Sequence, residues 1–252
     1  MDITVKTNPL KEKNGATIAI SNIEIGNQLK VRNVTVKEGK NGRFVSMPSY
    51  ATGKVDEQGQ TIYNEVFNPI TAQGREKLFS AVLESLDTGK EITIKDDIER
   101  KGKDITARMV PLNDGKAGAV GVGRLYINED YVVNNIVVRQ SEKSGEFVTF
   151  PSYKTNEVDE QGNTIYRDFV YPKDKESREV ISNLVMEAFR ESKEIAKTDP
   201  VKDDPSLSDK SEVLKDEKPK GVKARLKEGD EKKRNAAKNR SRTVKSKEAV
   251  LE

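Results

Sequence analysis

The sequence predicts an α+β chain: two tandem small domains, each an antiparallel sheet of hairpins closed by a C-terminal amphipathic helix, followed by a disordered basic tail. Three observations predict it. The nonapeptide VDEQGQTIY (Val55 to Tyr63) returns almost unchanged as VDEQGNTIY (Val158 to Tyr166), 103 positions later. Around each copy lie short runs rich in Ile, Val, Thr and Tyr, separated by Gly-containing turns, the pattern of antiparallel strands joined by hairpins. Each copy then ends in one stretch with apolar residues at helical spacing.

The elements follow in order. VRNVTV (Val31 to Val36) answers VNNIVV (Val133 to Val138) at an offset of 102. The second copy therefore has one extra residue before the next strand, in a turn, where insertions are tolerated. NGRFVSMPSY (Asn41 to Tyr50) answers SGEFVTFPSY (Ser144 to Tyr153). Within the nonapeptide, DEQG (Asp56 to Gly59) supplies turn chemistry: Asp opens a turn well and Gly accepts the positive φ that closes it. NPITAQGREKLFSAVLESL (Asn68 to Leu86) answers YPKDKESREVISNLVMEAF (Tyr171 to Phe189). Leu78, Ala81, Val82, Ser85 and Leu86, and likewise Ile181, Leu184, Val185, Ala188 and Phe189, recur at helical spacing, with Thr71 and Asp174 as N-caps and Gly89 as the first helix stop. These marks place the domains at 1–89 and 104–191. Residues 90–103 form a charged connector with room for one short strand at Ile92 to Ile94, and 192–252 are a tail expected to be disordered, dominated by Lys, Asp, Glu, Ser and Pro.

Composition narrows the function. Charged residues make up 35% of the 252 residues and mean hydropathy is -0.75, polar for a fully packed chain of this length. There is no Cys and no His. This excludes disulfides, thiolate or imidazole metal sites and imidazole-based catalysis and leaves catalysis to carboxylates, Lys, Ser or Tyr; as no convergent site of these stands out, no cofactor and no enzyme activity are expected. The N-terminus lacks the basic start and apolar run of a signal peptide, and no segment approaches the roughly 20 apolar residues that span a bilayer. A soluble cytoplasmic protein with no membrane partner is the expectation. The net charge of +3 is uneven: residues 218–252 hold 13 Lys and Arg against 5 Asp and Glu, whereas residues 1–217 hold 32 against 37.

Candidate chemistry follows from that asymmetry. Lys30, Arg32, Lys37, Lys40 and Arg43 are opposed by one acid, Glu38, which makes the first copy the better candidate for phosphate contact. The plain alternative, a solvated hairpin face without a ligand, stays open, and the alternation breaks near Asn33, so the shared face is undefined. Arg75 and Lys77 begin the first helix, where free N–H groups also suit phosphate, with ordinary solvated helix-end residues as an equal alternative. Lys232, Lys233, Arg234, Lys238, Arg240 and Arg242 in the tail would add affinity without sequence preference. The acid pairs Asp56/Glu57 and Asp159/Glu160 are read as solvated hairpin tips rather than catalytic or metal carboxylates. AGAVGVGRL (Ala117 to Leu125) is read as a Gly-rich strand, since it lacks the βαβ setting of a phosphate loop.

NGRFVSMPS, followed by NPI and REKLFSAVLESL, resembles the SpoVG (stage V sporulation protein G, septation regulator) family over residues 15–87. SGEFVTFPS with YPK resembles it again over about 117–190. The resemblance implies a small α+β domain that dimerises through its sheet and binds DNA or RNA as a regulator of sporulation or septation. Three departures stand out: Tyr50 and Ala51, or Tyr153 and Lys154, replace the family's basic residues after the Pro-Ser, the hairpin is longer, and two copies share one chain. The last suggests an intramolecular pseudo-dimer, with a homo-oligomer still open. A protein-interaction adaptor without a nucleic-acid role is the alternative function.

Overall fold

The computed structural model describes residues 1–96, 104–113 and 115–198. The first repeat holds β1 (Ile3–Asn14), β2 (Thr17–Ile25), β3 (Leu29–Gly39), β4 (Gly42–Ser46), β5 (Ser49–Val55), β6 (Thr61–Glu65), β7 (Phe67–Pro69) and α1 (Ala72–Thr88). After β8 (Ile92–Ile94), the second repeat holds β9 (Ile105–Pro111), β10 (Ala119–Ile127), β11 (Tyr131–Ser141), β12 (Gly145–Thr149), β13 (Ser152–Val158), β14 (Thr164–Asp168), β15 (Val170–Pro172) and α2 (Lys175–Thr198). The α+β architecture read from the repeats is what the chain adopts. The tail beyond Thr198 and connector residues 97–103 lie outside the described residues.

Each repeat lends its last strand to the other. The first sheet runs β15–β3–β2–β1–β8, with β4 on the far half of β3; the second runs β12–β11–β10–β9, with β7 on β11. Val170, Tyr171 and Pro172 lie opposite Val31, Lys30 and Leu29, while Phe67, Asn68 and Pro69 lie opposite Val133, Val132 and Tyr131. Backbone bonds extend both joints: Arg32 N donates to Phe169 O at 2.8 Å and Asn134 N to Val66 O at 2.7 Å. β5–β6 and β13–β14 stand apart as two-stranded ribbons that carry the repeated nonapeptide.

The loss of alternation near Asn33 is a β-bulge. Ser21 pairs with Val34 but Ile23 with Val31, so β3 spends one residue more than β2 across that interval. Asn33 takes φ 62°, and its counterpart Asn135 takes φ 66° in β11; Asn tolerates this left-handed region better than most residues. The bulge reverses the parity of β3, so Leu29 and Val31 before it and Val34 and Val36 after it all point into the core.

One hydrophobic core spans both repeats, with Leu78 and Val82 of α1 and Ile181, Val185 and Phe189 of α2 contributing. Apolar burial at about 25 cal/mol per Å² is the main force holding the helices down. α1 is capped as its sequence indicates: Thr71 accepts from Gly74 N at 2.9 Å, and Gly89 closes the helix at φ 65°. Asp174 accepts from Ser177 N at 2.8 Å, and α2 runs on to Thr198, past the boundary at 191. β8 pairs with β1, so the start of the connector belongs to the first sheet. Polar groups between α1 and that sheet satisfy one another: Thr7 N donates to Ser85 Oγ at 2.9 Å, and Thr7 Oγ1 meets Ser21 Oγ at 2.7 Å. The Gly-rich segment is strand β10, where a Cβ on Gly121 would come within 2.4 Å of the Phe189 ring.

Candidate nucleic-acid interface

The fold sorts the first-repeat basic residues into two groups. With Leu29, Val31, Val34 and Val36 turned inward, Lys30, Arg32 and Lys37 share the outward face of the first sheet. Two aromatic residues that sequence reasoning did not single out join them. Tyr171 arrives on β15 opposite Lys30, and the Arg32 guanidinium lies 4.3 Å from the centre of its ring. Phe44 stands opposite Lys37 on β4 and is 48% exposed. Phe44 had a signal in its alternation with Val45; Tyr171 had none, because its position depends on the strand exchange.

Glu24, paired across from Lys30, moderates the positive charge. It lies 3.7 Å from Lys30 and accepts from Lys173 at 2.8 Å. Beside Arg32, burial raises the Asp168 carboxyl above its ordinary range, opposed by the charges of Arg178 and Arg32. The equivalent joint in the second sheet is neutral: Asn134 Nδ2 donates to Asn68 Oδ1 and to Glu65 O, both at 3.0 Å. The two joints thus share geometry and differ in charge.

The remaining candidates lie elsewhere. Lys40 sits at the exposed β3–β4 turn. Arg43 points to the helix side, gripping Asp87 of α1 through two bonds of 2.5 and 3.1 Å. That contact holds the Asp87 carboxyl below its ordinary range. Arg75 stands over Phe79, 6.0 Å from the ring centre, and counters the upward push that burial gives Glu65. Lys77 lines a small cleft with Asp96 and Asp130. The α1 N-terminus also has its partners: Thr71 caps Gly74 N and donates to Asp130 at 2.5 Å, so a phosphate there would meet a carboxylate. Lys232, Lys233, Arg234, Lys238, Arg240 and Arg242 lie outside the described residues. Among the described residues no cluster of three or more acidic side chains is arranged to hold a metal, and no helix is long and apolar enough to cross a membrane.

The SpoVG family model matches residues 1–88 and again 103–191. The chain belongs to the SpoVG family. Among relatives, the septation protein SpoVG of Thermoanaerobacter sp. (strain X514) is 34% identical over 92 residues, covering 36% of this chain and 92% of its own length. That of Clostridium novyi (strain NT) is 28% identical over 93 residues, 37% of this chain and 84% of its own. Each such match is about one SpoVG repeat long. No solved structure matches the chain.

Proposed function

We propose that the chain is a non-enzymatic, nucleic-acid-binding regulator of the SpoVG type, and that it contacts DNA or RNA through the outward face of its first sheet. The observation that carries this reading is the grouping of Lys30, Arg32 and Lys37 with Tyr171 and Phe44 on one open face. Cations neutralise phosphates while aromatic faces and a stacked guanidinium accept unpaired bases. Lys40 and the tail cations extend the electrostatic contact, whereas Arg43 is tied to Asp87 of α1 and Arg75 and Lys77 stand on α1, apart from this group. Family membership and the septation names of the relatives support a regulatory role.

The reciprocal strand exchange supports a further part of the proposal: the repeats pair within one chain, as two domains of an intramolecular pseudo-dimer that is monomeric in solution. Light scattering of the full chain should report a monomer. Gel-shift titration against mixed DNA and RNA at low salt should give a complex that Arg32→Glu with Lys37→Glu abolishes. Absence of binding at micromolar protein would overturn the nucleic-acid reading.

A further inference from the structure

The two ribbons β5–β6 and β13–β14 carry a preserved surface. Over Ser49–Glu65 and Ser152–Asp168 the repeats agree at 11 of 17 positions. Over the core strands β2 and β10 they agree at 1 of 9, and over β3 and β11 at 3 of 11. That order is the reverse of what packing alone produces, since exposed connections drift more freely than the elements they join. A recent duplication would have left the core equally alike.

Local structure accounts for part of the agreement. Asp56 Oδ1 accepts from the backbone of Gln58 and Gln60 at 2.9 and 2.8 Å, and Asp159 repeats this with Gln161 and Asn163. Thr52 and Thr155 bond across their ribbons to Ile62 O and Ile165 O. No such role falls to Val55 and Val158, 62% and 63% exposed, or to Tyr63 and Tyr166, 62% and 64% exposed. Identical apolar groups are held equally far into solvent on both ribbons.

We propose that these twin ribbons are docking arms for a protein partner that presents two equivalent basic segments. Each ribbon carries net -2: Lys54 against Asp56, Glu57 and Glu65, and Lys154 and Arg167 against Glu157, Asp159, Glu160 and Asp168. This charge repels a phosphate backbone and the arms of a second copy alike, and complements Lys- or Arg-rich protein surface. Ribbon edges supply main-chain bonds to an extended segment, and the exposed Tyr and Val supply apolar anchors. Two arms on one chain make the second contact intramolecular, which raises affinity by about 10²–10⁴ over one arm. The inference does not rest on nucleic-acid binding by the first sheet.

The test uses the full chain with the photo-crosslinker p-benzoylphenylalanine in place of Tyr63 or of Tyr166, irradiated in the cells that make the protein, with the exposed helix position Val180 as control. Both arm positions should label one and the same protein through Lys- or Arg-rich peptides, and Val180 should not. With that protein purified, Tyr63→Ser or Tyr166→Ser alone should weaken binding by about the avidity factor and the double variant should abolish it, while thermal unfolding of the full chain stays unchanged. Labelling of nucleic acid, of this chain's own tail or a second copy, of different proteins at the two positions, or of nothing, overturns the proposal. Gel shifts of the double variant keep this outcome separate from the proposed function, because loss of arm docking should leave nucleic-acid binding intact.

Discussion

Replacing Phe67 by Ala should destabilise the second repeat as much as the first. Phe67 is read as part of the first repeat, yet it sits on the second sheet, fully buried and stacked on Tyr131 with ring centres 5.9 Å apart and planes at 18°. A buried aromatic ring removes roughly 150–250 Å² from water, or about 4–6 kcal/mol at 25 cal/mol per Å². Phe→Ala substitutions in cores cost about 3–5 kcal/mol. Because one core joins the repeats, that loss belongs to the whole folded unit. Native-state hydrogen exchange reads it: amides that open only by global unfolding should exchange roughly 10²- to 5 × 10³-fold faster in β2 and in β10 alike. Faster exchange in one repeat with unchanged protection in the other would refute a shared cooperative unit.

Other predictions bear on single groups. Ser85→Ala leaves the buried Thr7 N–H without its acceptor and should cost about 1–3 kcal/mol in urea unfolding. Burial beside Asp130 pushes the Tyr131 phenol up to about 12, so the folded state holds that proton more tightly than the unfolded chain. Stability should therefore fall as pH rises from the ordinary tyrosine value of 10 towards 12, and Tyr131→Phe should flatten that decline relative to the parent in alkaline denaturation. Gly121→Val should disrupt the seat of Phe189 and lower the melting temperature far more than Gly59→Ala at an open ribbon tip. Deleting residues 218–252 should weaken binding to all nucleic-acid sequences alike and flatten the log-log salt slope, at about 0.9 per lost contact on duplex DNA.

What could be read from the sequence was what neighbours in sequence decide. Thr71, Asp174 and Gly89 announce helix ends through bonds made within four residues, and Asp56 with Gly59 announces a turn in the same way. The outward face of β3 was obscured because Asn33 adds one residue at positive φ, which reverses which side chains face the core. Arg43 looked available in the sequence because its partner, Asp87, lies on a helix 44 positions away. The strand exchange left no local trace: FNP and VYP are three-residue strands without periodicity, and the edge each joins is decided only once both sheets exist.

The exchange also sets a clock on synthesis. β3 cannot receive β15 until Val170 has left the ribosome, 139 residues after Val31. At about 5–20 residues per second, the half of that edge facing β15 stays open for roughly 7–30 s in every nascent chain. An open edge is a template for any strand nearby, and on a polysome the nearest one belongs to the next copy of the same protein. The charged side chains along this edge, Lys30 and Arg32, would then guard the growing chain before they meet any ligand.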